Sequence, residues 1–238
     1  MALPPRAISL SYLFLFAMAA ASTAQPAAAN AVAAEATAPF STTQSITSTT
    51  TFLRARCATT LYPDVCYDAL VRYASTFQNS NVRLAGAAAD VAAAHLRALS
   101  ARIKEMLIHR GGDSEAEGTT GGSRVDAALH DCASTISAAE NLARRSSAEL
   151  TLLDAATAST ESSTSTPAGR GRQARWQVSN AKTWLSAAIT NEVTCTDGFE
   201  DTGAAVTASP TGKEVAAGVA SVRQHTSNAL ALVNGIPL

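Results

Sequence analysis

The chain has 238 residues, a formal net charge of −1 and a pI near 6.4, and its Lys and Arg are scattered, which excludes the basic footprint of a nucleic-acid binder. Apolar residues make up 47% but aromatics only 5%, so the apolar content is largely alanine. Alanine is the best helix former, and a β-sandwich would want Val, Tyr and Thr in alternation, so the expected class is all-α.

The N-terminus reads as a signal peptide over residues 1–24. Arg6 is the positive n-region, residues 7–21 form an apolar run with Leu13-Phe14-Leu15-Phe16, and Ser22-Thr23-Ala24 is a small-residue cleavage pattern. The run is short for a membrane span of about 20 residues, and no later stretch is apolar enough to cross, so a secreted chain with no membrane association after cleavage is expected. Residues 25–41, rich in Ala, Pro and Thr, are a flexible leader.

All four cysteines, Cys57, Cys66, Cys132 and Cys195, follow the leader. An even count in a secreted chain implies disulfides, with three possible pairings. A zinc site would want a Cys-x2-Cys pair or histidines at ligand spacing, and His95, His109, His130 and His225 offer neither. On one continuous helix Cys57 and Cys66 would lie on opposite faces, about 13.5 Å apart along the axis, beyond the Cα–Cα reach of about 7 Å for a disulfide. If they pair, the chain must turn between them. Leu61-Tyr62-Pro63-Asp64 supplies a turn, with Pro63 suited to open a helix. Residues 42–75 are therefore expected to form a stapled helical hairpin.

Residues 81–110 are the cleanest helix. Val82, Ala85, Ala89, Ala92, Leu96, Leu99, Ile103 and Met106 recur in steps of three and four, a bundle stripe. His95 and His109 lie off it as surface or boundary histidines. Residues 111–123 read as a loop. A second helix over residues 124–157 carries Val125, Leu129, Cys132, Ile136, Ala139, Ala143, Leu150 and Leu153 on one face. Residues 159–171 read as a polar loop containing Pro167.

The third long helix, residues 173–197, holds the most informative segment, Trp184-Leu185-Ser186-Ala187-Ala188-Ile189-Thr190-Asn191-Glu192-Val193-Thr194-Cys195. Gly198 reads as its C-terminal stop and Phe199 as an apolar contact for the last turn. Cys132 and Cys195 then sit on facing stripes, and the turn at Pro63 leaves Cys57 to Cys66. The expected bridges are Cys57–Cys66 and Cys132–Cys195, worth about 2.5–3 and about 4 kcal/mol in the chain-entropy model. The last helix, residues 213–234, puts Val215, Val219, Val222, Thr226, Ala229, Leu230 and Val233 on one side. The expected fold is an up-down-up-down four-helix bundle over residues 80–234, preceded by the stapled hairpin, together one domain over residues 42–234.

No Gly-x-Ser-x-Gly elbow and no phosphate loop are present, and two bridges leave no free thiol. Glu192, Asp197, Glu200 and Asp201 form an acidic cluster near a helix end, read as solvated. Paired carboxylates for glycoside cleavage would need an aromatic-lined cleft, which an alanine-rich bundle does not offer. No enzymatic activity, cofactor or metal is expected, and no Asn-x-Ser/Thr sequon is present.

The Trp184–Phe199 segment, Cys57-x8-Cys66 enclosing Tyr62-Pro63, and Asp131-Cys132 together resemble the plant invertase/pectin methylesterase inhibitor family, over residues 42–234. The resemblance implies a small secreted helical protein of the apoplast and cell wall, with a hairpin packed beside or projecting from the bundle. Its protein partner would be a pectin methylesterase or an acid invertase, inhibited by occlusion in a stoichiometric complex. A Pro-Lys-Phe stretch, used as a plug by some invertase inhibitors, is absent, which favours pectin methylesterase. By position Thr194 and Asp197 match residues that contact the enzyme in that branch, and the same residues also read as helix terminators. After Asp131-Cys132 the family pattern has acidic residues and a tyrosine, where this chain has Ser134, Ile136, Ala138 and Asn141. Ser134 and Asn141 are thus candidate contact positions where the chain departs from its family. A wall-associated binding protein without inhibitory activity is the rival reading.

Overall fold

The computed structural model describes residues 41–113, 120–158 and 166–238. The expected signal peptide and nearly all of the expected leader lie outside these residues.

Four long helices form the bundle: α4 (Asn81–Asp113), α5 (Thr120–Ala158), α6 (Pro167–Asp201) and α8 (Pro210–Asn234). The contacts between them fix their directions. Arg83 pairs with Asp154 and Arg110 with Asp126, so α4 and α5 run antiparallel. Cys132 meets Cys195 while the Ser146 hydroxyl donates to the Ala181 carbonyl, so α5 and α6 do too. His95 stacks on His225 while Arg102 reaches Glu214, which sets α8 antiparallel to α4 and closes the square. The up-down-up-down topology follows. Its core is the apolar stripe of each helix: Leu96 and Ile103 from α4, Leu129 and Ile136 from α5, Val178 and Leu185 from α6, and Val215 and Val219 from α8 are all buried. Alanines fill the rest and allow close helix approach. At Gly218 a Cβ would come within 2.5 Å of Leu99 Cδ1, so the missing side chain sets the α4–α8 spacing.

Before the bundle, α1 (Ser41–Cys57) and α2 (Pro63–Leu70) form the hairpin, joined by the Cys57–Cys66 disulfide with Cα atoms 5.5 Å apart. Pro63 is the first residue of α2, where its missing N–H leaves no carbonyl unserved. A 3-10 turn (Val71–Tyr73) and the short α3 (Ala74–Phe77) follow. Gln78 and Asn79, both left-handed with φ of 42° and 64°, then reverse the chain into α4. The hairpin packs against the bundle through buried Leu53, Leu70 and Phe77. It is also fastened by Asn228 of α8, itself only 3% exposed. The Asn228 side-chain amide donates to the Tyr62 carbonyl at 2.9 Å and accepts from the Tyr62 N–H at 3.2 Å. One buried amide thereby serves the Tyr62 N–H and shares the Tyr62 carbonyl with the Cys66 N–H of the new helix, so the hairpin turn meets the bundle with its polar backbone groups paired.

Three expectations differ from the structure. The helix expected to stop at Gly198 continues through it to Asp201, because Phe199 is buried on the same face as Leu185 and Cys195 and extends the stripe by a turn. The positive φ, 105°, falls on Gly203 instead. Second, α6 begins at Pro167, inside the expected loop. Thr166 is its N-cap, accepting from the Gly169 N–H, and Pro167 occupies the first turn. Likewise α4 extends to Asp113, α5 starts at Thr120, and α8 starts at Pro210 with Ser209 as its cap. A short helix, α7 (Ala204–Thr207), lies between α6 and α8. Third, the acidic cluster is not one solvated group: Asp197, Glu200 and Asp201 are exposed, but Glu192 is fully buried.

Candidate functional interface

The α5–α6 pair carries the segments that the sequence singles out. Cys132 and Cys195 are joined across it, with Cα atoms 4.3 Å apart. That bond fixes the register: residue 132 of α5 lies level with 195 of α6, and Ser146 with Ala181. In an antiparallel pair this sets Ser134 level with Val193, one residue from Thr194, and both Ser134 and Thr194 are exposed. Asn141 is also exposed on α5, two turns further along. Asp197 is exposed on α6 but lies about 60° round the helix from Thr194, away from α5. So Ser134 and Thr194 share one stretch of surface, while Asn141 and Asp197 flank it on different sides. Neither Thr194 nor Asp197 ends a helix. The Thr194 hydroxyl donates to the Thr190 carbonyl inside a helix that runs on to Asp201.

Sequence reasoning missed three polar contacts, two on this face and one behind it. The Arg145 guanidinium lies over the Trp184 ring, 3.7 Å from its centroid, a cation–π contact across the outer α5–α6 seam. Asn180 donates to Glu149 at 3.1 Å in the same seam. Trp184 was visible as part of the motif, but its half-exposed position is set by Arg145. The i, i+4, i+7, i+11 spacing of Asn141, Arg145, Ala148 and Leu152 along α5 could have revealed that outward line. The third contact faces inward. Glu192 and Thr226 meet between α6 and α8, with Thr226 Oγ1 2.6 Å from Glu192 Oε1. Burial pushes the Glu192 carboxyl up to about 7; the Thr226 hydroxyl and the Arg223 charge pull the other way and lose.

The remaining titratable pair is His95 and His225, on α4 and α8, whose rings stack with centroids 3.8 Å apart. Burial, then the charge of its neighbour, lowers His225 to about 4, and burial followed by the Arg72 charge lowers His95. Two neutral imidazoles packed face to face are a helix–helix contact. Among the described residues no group of three or more His, Cys, Asp or Glu is placed to hold a metal ion, and no helix is long and apolar enough to cross a membrane. What the site offers chemically is a rigid outer surface of two stapled helices.

Comparison with known proteins gives a consistent picture. Residues 51–232 match the family model described as plant invertase/pectin methylesterase inhibitor. The chain is 33% identical over 186 residues to the "21 kDa protein" of Daucus carota, covering 77% of this chain and 82% of that protein. It is 33% identical over 184 residues to "Pectinesterase inhibitor 11" of Arabidopsis thaliana, covering 77% and 79%. Against "Pectinesterase inhibitor 9" of the same plant it is 31% identical over 183 residues, covering 77% and 79%. No solved structure matches the chain.

Proposed function

This chain belongs to the plant invertase/pectin methylesterase inhibitor family, and from that premise we propose that it is a secreted inhibitor of pectin methylesterase, acting at the cell wall by forming a stoichiometric complex that occludes the enzyme's cleft. The family is one of inhibitor proteins and not of enzymes. The observation that carries the reading is the agreement between relatives named pectinesterase inhibitors and a fold whose most characteristic segment lies on the stapled α5–α6 face. A bundle held by a disulfide between these helices loses little conformational entropy on docking, which leaves more of the contact energy as affinity. From Ser134 to Leu152 the face is about 27 Å long, and two helices make it about 20 Å wide. That is the order of footprint of a standard interface, about 800 Å² per partner. Thr194 and Ser134 at one end, with Asn141 and Asp197 flanking them, supply polar contacts.

The test is a titration of the oxidised mature protein against one purified pectin methylesterase and one acid invertase, following residual activity. Loss of methylesterase activity that saturates near one-to-one is expected. Loss of invertase activity alone would move the target to the other enzyme, and no effect on either would leave a binding protein with a different partner.

A further inference from the structure

The Arg144–Arg145 pair sits on the outer side of α5, Arg145 leaning on Trp184 of α6 and Arg144 on the side of Glu140 and Arg97 of α4, with too few acids around it. Arg145 is stacked on Trp184, and among the described residues no carboxylate lies within ion-pair distance of it. Arg144 reaches only Glu140, at 3.9 Å, while Glu140 is already held by Arg97 at 2.9 Å. The other acid of this part of α5, Glu149, is engaged by Asn180. Both guanidiniums border an open depression of about 510 Å³ on the outside of α5, completed by Asn141 and Ala148. The register places Leu152 level with Arg175, one residue from Trp176, two turns beyond it, and Leu152 and Trp176 are 59% and 57% exposed. A cationic centre flanked by large exposed apolar groups, with an indole and arginines as anchors, has the composition of a protein-binding hot spot. A solvated charged face would show neither the stacked guanidinium nor the uncovered tryptophan and leucine.

We propose that this patch is the electrostatic anchor for the partner enzyme: Arg144 and Arg145 receive a carboxylate from an acidic protein surface, while Trp176 and Leu152 are covered beside it. The inference rests on the inhibitor reading above and deepens it by naming the charge of the surface recognised. Arginine is suited to the role, because its planar fork binds a carboxylate in bidentate fashion and remains stacked on an aromatic ring while doing so.

The test uses the oxidised mature protein, a pectin methylesterase that it inhibits, and the Arg144→Glu/Arg145→Glu double variant. Affinity is measured at several salt concentrations, with Arg144→Lys/Arg145→Lys as the charge-retaining variant and Lys104→Glu on α4 as a distant control. The expected result is about 100-fold weaker binding for the Glu pair, a flatter salt dependence, and a melting temperature close to wild type. The Lys pair should recover most of the affinity, and Lys104→Glu should change it little. If the wild type inhibits and the Glu pair binds equally well, the anchor is wrong while the inhibitor function stands. If the wild type inhibits no methylesterase, both fall. A parallel arm uses polygalacturonic acid, with neutral dextran as its control. If the wild type binds the polyanion, the Glu pair does not, and enzyme affinity is unchanged, the patch belongs to an acidic polysaccharide and the proposal is overturned.

Discussion

Replacing Glu192 with Gln should change how stability depends on pH. Glu192 is fully buried, and its Oε2 has no hydrogen-bond partner. Thr226 Oγ1 lies 2.6 Å from Glu192 Oε1 and 3.1 Å from the Val222 carbonyl. A hydroxyl has one proton and cannot donate to both. With Glu192 protonated, its O–H serves the Thr226 oxygen and the Thr226 proton goes to Val222, so both protons are placed and no charge is buried; only the neutral Oε2 stays without a partner. With Glu192 ionised, a buried charge is left with one hydroxyl donor and the distant Arg223. The carboxyl rises from its ordinary 4.5 to about 7, so the folded state holds a proton that the unfolded state releases above pH 4.5. Its contribution is therefore full below about pH 4.5 and is lost as pH rises through about 7. At about 1.4 kcal/mol per pH unit, the loss is roughly 3 kcal/mol, or about 6–12 °C in melting temperature for a domain of this size. His225 works in the opposite sense. Its value is lowered to about 4, so its contribution is present above about pH 6.5 and is lost as pH falls toward 4. The wild-type curve alone therefore mixes two opposing trends, and the difference between wild type and Glu192→Gln isolates one. Thermal melts from pH 4.5 to 8 should show the variant at or below wild type at pH 4.5, where its amide has unpaired donors, and well above it at pH 8. A difference that stays constant across that range would refute the reasoning.

Four further outcomes are expected. Asn228→Ala strips the Tyr62 N–H of its acceptor and the Tyr62 carbonyl of one of its two donors and should cost about 1–3 kcal/mol, with hydrogen exchange rising over residues 58–77 more than in the bundle. Replacing Cys132 and Cys195 together by Ala should cost about 4 kcal/mol, read from urea unfolding, and non-reducing peptide mapping of the wild type should show no Cys57–Cys132 peptide. Gly218→Ala forces a Cβ against Leu99 and should lower stability by about 1–3 kcal/mol, measured by the same unfolding. Asp197→Ala, at an exposed position within α6, should weaken inhibition while leaving the melting temperature within a few degrees. A stability loss with unchanged inhibition would assign Asp197 to the fold instead.

What the sequence determined by itself was whatever depends on local chemistry and period. Steps of three and four placed Leu96, Ile103, Leu129 and Ile136 on inner faces, because a helix repeats every 3.6 residues wherever it packs. Pro63 between two nearby cysteines required a turn, because a straight helix holds those sulfurs too far apart. The boundaries were less legible. Gly198 tolerates a positive φ but does not compel one, and the burial of Phe199 kept the helix going to Asp201. Pro167 read as a loop residue until Thr166 was seen to cap it.

Only the tertiary structure decided matters that depend on which face meets which neighbour. Glu192 looks like its exposed acidic neighbours in the sequence, and it is the contact with α8 that buries it and raises its pKa. Arg145 and Trp184 are far apart in the chain, and the antiparallel register set by Cys132–Cys195 brings them together. Asn228 reads as one more polar residue of the last helix until the hairpin turn lies against it. Periodicity is a property of one helix and can be read along the chain. Burial and charge balance belong to the contact between two helices, and they are fixed only when the bundle closes.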